Sequence, residues 1–363
     1  MTGAAPDATP RKSTWTLPRV ARFPGLRALA WSDHLLYASR GYELICAAIT
    51  PKNVESHEFS WQAVATLDPA WWRRVSASGR LTSRLFRDGF HALAVLDSAS
   101  LVAAVPGAIV TLAPNQKQLR VTHGITRGTR PLHITTIPGG RVLWGEYFDN
   151  PSREEVHIYA SADEGAHWDV AYTFAQGAIR HVHNIVHDPW GNCMWILTGD
   201  YGDECRILRG SYDLSQMDVV LQGDQQARAV ALIPAEDGIY FTSDTPLEAN
   251  FIFHFDRRGT LSKLAPVNAS SIFGCRAANG LFFSTMVEPS RVNTDRQVRI
   301  YASRDGSDWN SLLSWRKDRW PMRLFQYGNA ILPDGNNATE FLAVTTVAVE
   351  SDDMVTSLYA VSL

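Results

Sequence analysis

Seven times along this chain, a short run of small and branched apolar residues is followed by a polar turn and a second apolar run. The first runs are Arg27-Ala-Leu-Ala-Trp, His91-Ala-Leu-Ala-Val, His133-Ile-Thr-Thr-Ile, His183-Asn-Ile-Val-His, Arg228-Ala-Val-Ala-Leu, Ser271-Ile-Phe-Gly-Cys and Tyr327-Gly-Asn-Ala-Ile. The second runs include Leu35-Leu-Tyr, Val142-Leu-Trp, Met194-Trp-Ile and Leu281-Phe-Phe. Short apolar runs bounded by Gly, Pro, Asn and Asp read as β-strands. The starts lie roughly 40 to 65 residues apart, which is room for four strands, or one propeller blade. Small residues on each first strand suit the crowded centre of a ring. The pattern therefore predicts an all-β fold, a seven-bladed β-propeller of four-stranded blades. The last unit has strands near 325–332, 339–348 and 355–362 and is one strand short. The segment from Thr14 to Ala21 has no partner in its own unit. It is expected to supply the missing strand and close the ring, which also hides a sheet edge. Residues 1–13 are small and polar and read as a disordered N-terminal tail, leaving 14–363 as a single propeller domain.

Turn chemistry adds a second repeat. Ser161-x-Asp163-x-Gly165-x-x-Trp168 follows the apolar run Val156-His-Ile-Tyr-Ala. A copy one residue shorter, Ser303-x-Asp305-Gly306-x-x-Trp309, follows Val298-Arg-Ile-Tyr-Ala. Residues 205–213, ending Ser211-Tyr-Asp213, look like a third, decayed copy. Ser and Asp bond the amides of a tight turn, Gly supplies its positive φ, and Trp closes over the apolar side. This motif resembles the Asp-box, or BNR repeat, of sialidase-like β-propellers. The resemblance implies the same fold, with the turns on the face away from the active site. It also implies a carbohydrate-active class that grips an acidic sugar with arginines. Asp-box propellers also serve as non-catalytic assembly factors and interaction platforms.

Composition narrows the function classes. The chain has 363 residues and a formal net charge of −3, which gives no global case for binding nucleic acid or a membrane. No run approaches the ~20 apolar residues of a membrane span. The N-terminus lacks the apolar core of a signal peptide, so a cytoplasmic location is expected. The four cysteines (Cys46, Cys193, Cys205 and Cys275) form no CxxC pair and read as free thiols in a reducing compartment. A monomer is expected.

The candidate chemistry follows from the ring. In an up-and-down blade, the start of the innermost strand and the end of the second lie on one face. That face carries the inter-blade loops. Reading the innermost starts gives Arg27, His91, His133, His183, Arg228, Ser271 and Tyr327, mostly polar groups where a structural filler would be small and apolar. The ends of second strands add Glu146 and Asp200, and the longest inter-blade connection adds Trp71, Trp72 and Arg73. Two mechanisms on an acidic saccharide fit. In elimination, an arginine such as Arg228 or Arg27 neutralises a carboxylate, His133 or His183 removes a proton, and Tyr327 donates one. In hydrolysis, Glu146 and Asp200 act as a carboxylate pair. His91, Trp71, Trp72 and Arg73 are expected to bind substrate. No resident cofactor is expected. A divalent metal at His91, His133 and His183 is the alternative, since three imidazoles with open positions suit Mn²⁺ or Zn²⁺.

Overall fold

The computed structural model describes residues 15–277 and 280–361. Its strands form seven sheets arranged as seven blades. The innermost strands are Arg27–Asp33, Ala92–Val95, Thr135–Ile137, His181–Asp188, Ala229–Ala235, Ser271–Ala277 and Asn329–Ile331. Each is followed by antiparallel neighbours running outward. Blade four shows the plan: His181–Asp188 pairs with Cys193–Gly199, then Arg206–Gly210, then Met217–Gln222.

The seventh blade is completed by the N-terminal strand. Arg19–Pro24 runs antiparallel to Val355–Ala360, with Phe23 opposite Thr356. Pairing begins later than the sequence suggests. Trp15 instead packs against Phe282 of blade six, and Leu17 is buried with Val298. The proposed tail, residues 1–13, lies outside the described residues.

Each interface between neighbouring blades has its own apolar core. Leu36 meets Leu358 across the seam between blades one and seven, and Leu93 meets Leu29 between blades one and two. Val102 packs with Trp144, Ile158 with Ile196, and Leu197 with Phe241. Ile233 and Phe283, then Phe282 and Val344, continue the ring. Burying one such side chain contributes about 1.5–3 kcal/mol. The ring is thus held by seven apolar seams rather than by one central core.

Two insertions into the simple repeat shape the two ends of the channel. The connection between blades one and two folds into a helical hairpin, Trp71–Ser78 and Arg80–Phe86. The segment Asp334–Asn337 pairs parallel to Ala30–Asp33 on the inner edge of blade one. It narrows the channel, and His133 Nδ1 lies 3.1 Å from its Asp334 carboxylate. A cavity of about 680 Å³ remains on that side, lined by Asn184, Ala231 and Cys275 among others.

The three Ser–Asp turns join the third and fourth strands of blades three, four and six. In the first, Ser161 Oγ donates to Asp163 at 2.8 Å and accepts from the Gly165 amide at 2.8 Å. Asp163 also accepts from the His167 amide, 2.9 Å. The shorter copy repeats the design, with Gly306 N on Ser303 Oγ at 2.9 Å and Ser307 N on Asp305 at 2.9 Å. The third retains Gln216 N on Ser211 Oγ, 3.1 Å. No helix among the described residues is long and apolar enough to cross a membrane.

Candidate functional site

The inter-blade loops, the starts of innermost strands and the ends of second strands meet on one face. The ends of second strands place an acid at one repeat position: Gly145-Glu146, Gly199-Asp200 and Ser243-Asp244. Asp200 becomes the centre of the site. Its Oδ1 lies 3.3 Å from His183 Nε2, 3.4 Å from His181 Nε2 and 3.1 Å from Arg228 Nη2. Its Oδ2 lies 3.4 Å from Arg180 Nη1. The strand's register shifts between Val182 and Asn184, and this irregularity at His183 leaves the His181 and His183 rings together, centroids 4.9 Å apart. Gly199 makes room for them, because a Cβ there would lie 2.5 Å from His183 Cε1. Tyr147 stacks at a tilt on His181, ring centroids 4.3 Å apart.

Arg228 extends the cluster to blade five, its Nη2 standing 3.6 Å from Asp244 Oδ2. The other Asp244 oxygen is buried and has no hydrogen-bond partner among the described residues. Burial, reinforced by Glu288 and opposed by Arg228, pushes the Asp244 carboxyl up to about 7. Glu288 is raised as well, by burial and by the charge of Asp200. Asp200 is the opposite case. Burial opposes its charge, but bonds and charge from His181, His183 and Arg228 hold it far below the carboxylate range. Burial lowers His183, with help from His181 and Arg228 against Asp200. Burial and the neighbouring carboxylates lift Tyr147 to about 12, so it is a phenol at neutral pH. The face thus holds an ionised acid and a proton-bearing acid side by side, the condition for acid–base division of labour.

Beside this cluster is a group of arginines without acidic partners. Among the described residues, no carboxylate lies within ion-pair distance of Arg27, Arg87 or Arg130. The Arg27 Nε is sealed from solvent with no acceptor. Burial brings Arg27 down to about 10. Burial and repulsion from Arg27 and Arg87 bring Arg130 to about 9. His91 adjoins them, bonded to Arg87 O at 2.7 Å, and burial together with Arg130 and Arg27 holds it well below its ordinary value. Arg27 also lines a second cavity of about 680 Å³ under the helical hairpin, with Arg22, Arg40, Arg74 and Arg80.

Several expected site residues go elsewhere. Glu146 is occupied: Arg127 grips both its oxygens, Nε donating at 3.0 Å, and the His157 amide donates at 2.8 Å. His133 turns toward Asp334 and lines the far cavity instead of meeting His183. The metal trio His91, His133 and His183 therefore does not form. The group with metal-ligand spacing is His181, His183 and Asp200. Tyr327 is half-buried, within electrostatic reach of Glu288 and Arg87. Trp71, Trp72 and Arg73 ride on the hairpin. Trp71 is 78% exposed, and Arg73 lies over the Trp72 ring while bonding Asp88 at 2.7 Å. Arg180 and Arg130, on basic inter-blade loops, and Asp244, in an acidic loop ending a second strand, are legible in the sequence and join the site. Their repeat position, at a blade entrance or the end of a second strand, was the available signal.

Structural comparison agrees with the architecture. The chain is similar to a chain in the crystal structure of a mitotic checkpoint complex, at 11% identity, covering 99% of this chain and 96% of that one, with a TM-score of 0.56. The WD40 β-propeller domain of Doa1 aligns at 12% identity over 95% of this chain and 97% of its own, TM-score 0.54. A chain of a nidogen/laminin complex aligns at 10% identity over 84% and 98%, TM-score 0.51. No family model and no curated protein matches the sequence. The protein is a seven-bladed β-propeller, and identities this low speak for the fold alone.

Proposed function

We propose that this propeller is a carbohydrate-active enzyme whose substrate is an acidic glycan or oligosaccharide bound on the inter-blade-loop face. The observation that carries the reading is the unpaired cluster of Arg27, Arg87 and Arg130 beside the His183–Asp200 pair. Guanidiniums drawn together without counter-ions repel one another, and a planar carboxylate relieves that by bidentate pairing. An anion held there would place the rest of the sugar against His181, His183 and Asp244. Elimination is favoured over hydrolysis because Glu146 is committed to Arg127 and cannot pair with Asp200. The histidines then serve as base and Asp244, a protonated acid near neutral pH, as donor to the leaving oxygen. Kinship with sialidase-like propellers is supported by the three Ser–Asp turns. The absence of disulfides among the four cysteines supports a reducing compartment.

A panel of acidic oligosaccharides tests the reading. Elimination yields an unsaturated, ultraviolet-absorbing product; hydrolysis yields only a new reducing end. His183→Ala and Arg228→Ala should each remove the activity at least ~100-fold while leaving the fold intact. If no acidic glycan binds or reacts, the enzyme reading is lost.

A second reading is a protein-docking platform. It is favoured by exposed apolar side chains on the helical hairpin: Trp71, Val75, Leu85 and Phe86. Aromatic clusters of this sort anchor interfaces.

A further inference from the structure

The two imidazoles at Asp200 have their hydrogen-bond roles fixed from behind. His181 Nδ1 lies 3.1 Å from the carbonyl of Phe148, and His183 Nδ1 lies 2.9 Å from the carbonyl of Ala229. A carbonyl only accepts, so each Nδ1 carries the proton. In a neutral imidazole the other nitrogen is then a bare lone pair. The two Nε2 atoms are 3.0 Å apart, and both face Asp200 Oδ1 at 3.3 and 3.4 Å. Three acceptors thus converge, with no hydrogen of their own between them. All three residues are buried. Arg228 and Arg180 approach the carboxylate oxygens, and no bond from either to an imidazole nitrogen is present among the described residues.

From this arrangement we infer a site for a divalent first-row transition ion, with His181 Nε2, His183 Nε2 and Asp200 Oδ1 as its protein ligands. Metal–ligand bonds of about 2.1 Å put neighbouring ligands about 3.0 Å apart in octahedral and about 3.4 Å apart in tetrahedral geometry. The three observed separations span that range, so an ion enters without rearrangement. A backbone carbonyl on the distal ring N–H is the outer-shell contact that orients metal-bound histidine. Arg228 plays the same part for the carboxylate, using a lone pair of Oδ1 that the ion leaves free. Two imidazoles and one carboxylate form a borderline donor set. It suits Zn²⁺, Mn²⁺ or Fe²⁺ better than Ca²⁺ or Mg²⁺, which prefer all-oxygen sites. Three protein ligands leave further positions for water or substrate; with an ion bound, both imidazole lone pairs would be on the metal, and the base of the proposed elimination would be an ion-bound water of lowered pKa rather than a histidine.

The site stands without the glycan reading, and loading is measured with no saccharide present. The full chain is stripped with chelator, dialysed and titrated with Zn²⁺, Mn²⁺ and Co²⁺ separately by calorimetry. The expected result is one ion per chain for at least one metal, with visible Co²⁺ bands of a nitrogen- and oxygen-ligated ion. His181→Gln and His183→Gln keep side-chain bulk and should weaken binding by at least about 10–100-fold. Absence of stoichiometric uptake at neutral pH overturns the site, as does undiminished uptake by both folded variants. If the variants misfold, the wild-type Co²⁺ spectrum decides alone. Bands of an all-oxygen environment, or sulfur-to-cobalt charge transfer from a cysteine, also overturn it. Metal uptake without saccharide turnover supports the site and removes only the glycan reading.

Discussion

Arg84 and Arg27 both belong to the inter-blade-loop face of the ring. Arg84 is 1% exposed and fully matched: Nη1 donates to Asp318 at 2.7 Å and Asp353 at 3.0 Å, while Nε and Nη2 donate to Phe325 O at 3.0 and 2.6 Å. The hairpin is thereby fastened to the loop before blade seven and to blade seven itself. Arg27 has a sealed Nε without an acceptor and faces the like charge of Arg130. The same residue type is used in one place to join elements, and in the other to hold an unneutralised charge where a ligand can reach it. Donors and acceptors that balance within the chain mark architecture; an imbalance marks a place where something from outside completes the count.

The largest effect should come from breaking the balanced region. Arg84→Met leaves Asp318 and Asp353 without their shared guanidinium, and breaking a buried pair from one side costs about 3–5 kcal/mol. Urea denaturation should show a loss of that size. A loss under about 1 kcal/mol would mean that the hairpin anchor is not a buried ion pair in solution.

The balanced and unbalanced regions were not equally visible in the sequence. Seven inner strands were legible because small apolar residues recur at a fixed place in each unit. Closure was legible because one unit lacked a strand. The helical hairpin read as a long loop, since Trp71, Trp72 and Arg73 carry no helix cap or extended periodicity. Asp334–Asn337 read as a turn from its Asp-Gly-Asn-Asn composition; pairing with blade one made it a strand, a tertiary effect that local propensity does not contain. In the site, repeat position placed His183, Asp200 and Arg228 together correctly. It treated Glu146 as the equal of Asp200, because both end a second strand. Only the three-dimensional path of the 125–130 loop brings Arg127 to Glu146. His133 was misplaced for a related reason: the inserted strand offers it Asp334.

A smaller effect separates the two regions by pH. Asp244 stands at about 7 in the fold, against 3.8 for an ordinary aspartate. The folded state therefore keeps a proton that the unfolded chain has released. Stability falls as pH rises through the window from about 4 to about 7, and the loss is complete above it. Asp244→Asn should flatten this slope and gain up to about 4 kcal/mol at pH 8, where the wild type holds a buried charge. Denaturation midpoints at pH 5 and pH 8 measure it. Parallel profiles for wild type and variant would show that Asp244 is ionised throughout and is not the proton donor.

The smallest stability effect should be that of Arg27→Met, and it sharpens the comparison most. Methionine keeps much of the aliphatic bulk and removes a charge that repels Arg130. No carboxylate among the described residues loses an ion-pair partner, so stability should change by no more than about 0.5 kcal/mol, with a gain as acceptable as a loss. Arg84→Met, the same chemical change, should cost several times that. Binding should reverse the order: Arg27→Met weakens an acidic oligosaccharide by about tenfold or more, a charge-assisted bond of about 1.5–3 kcal/mol, and leaves a neutral oligosaccharide unaffected. Calorimetric titration of both sugars into both variants reads the two effects separately. If Arg27→Met proves as destabilising as Arg84→Met, Arg27 is part of the architecture and the unpaired cluster is no ligand site. If stability is unchanged and acidic-sugar affinity is unchanged too, the anion sits elsewhere on this face.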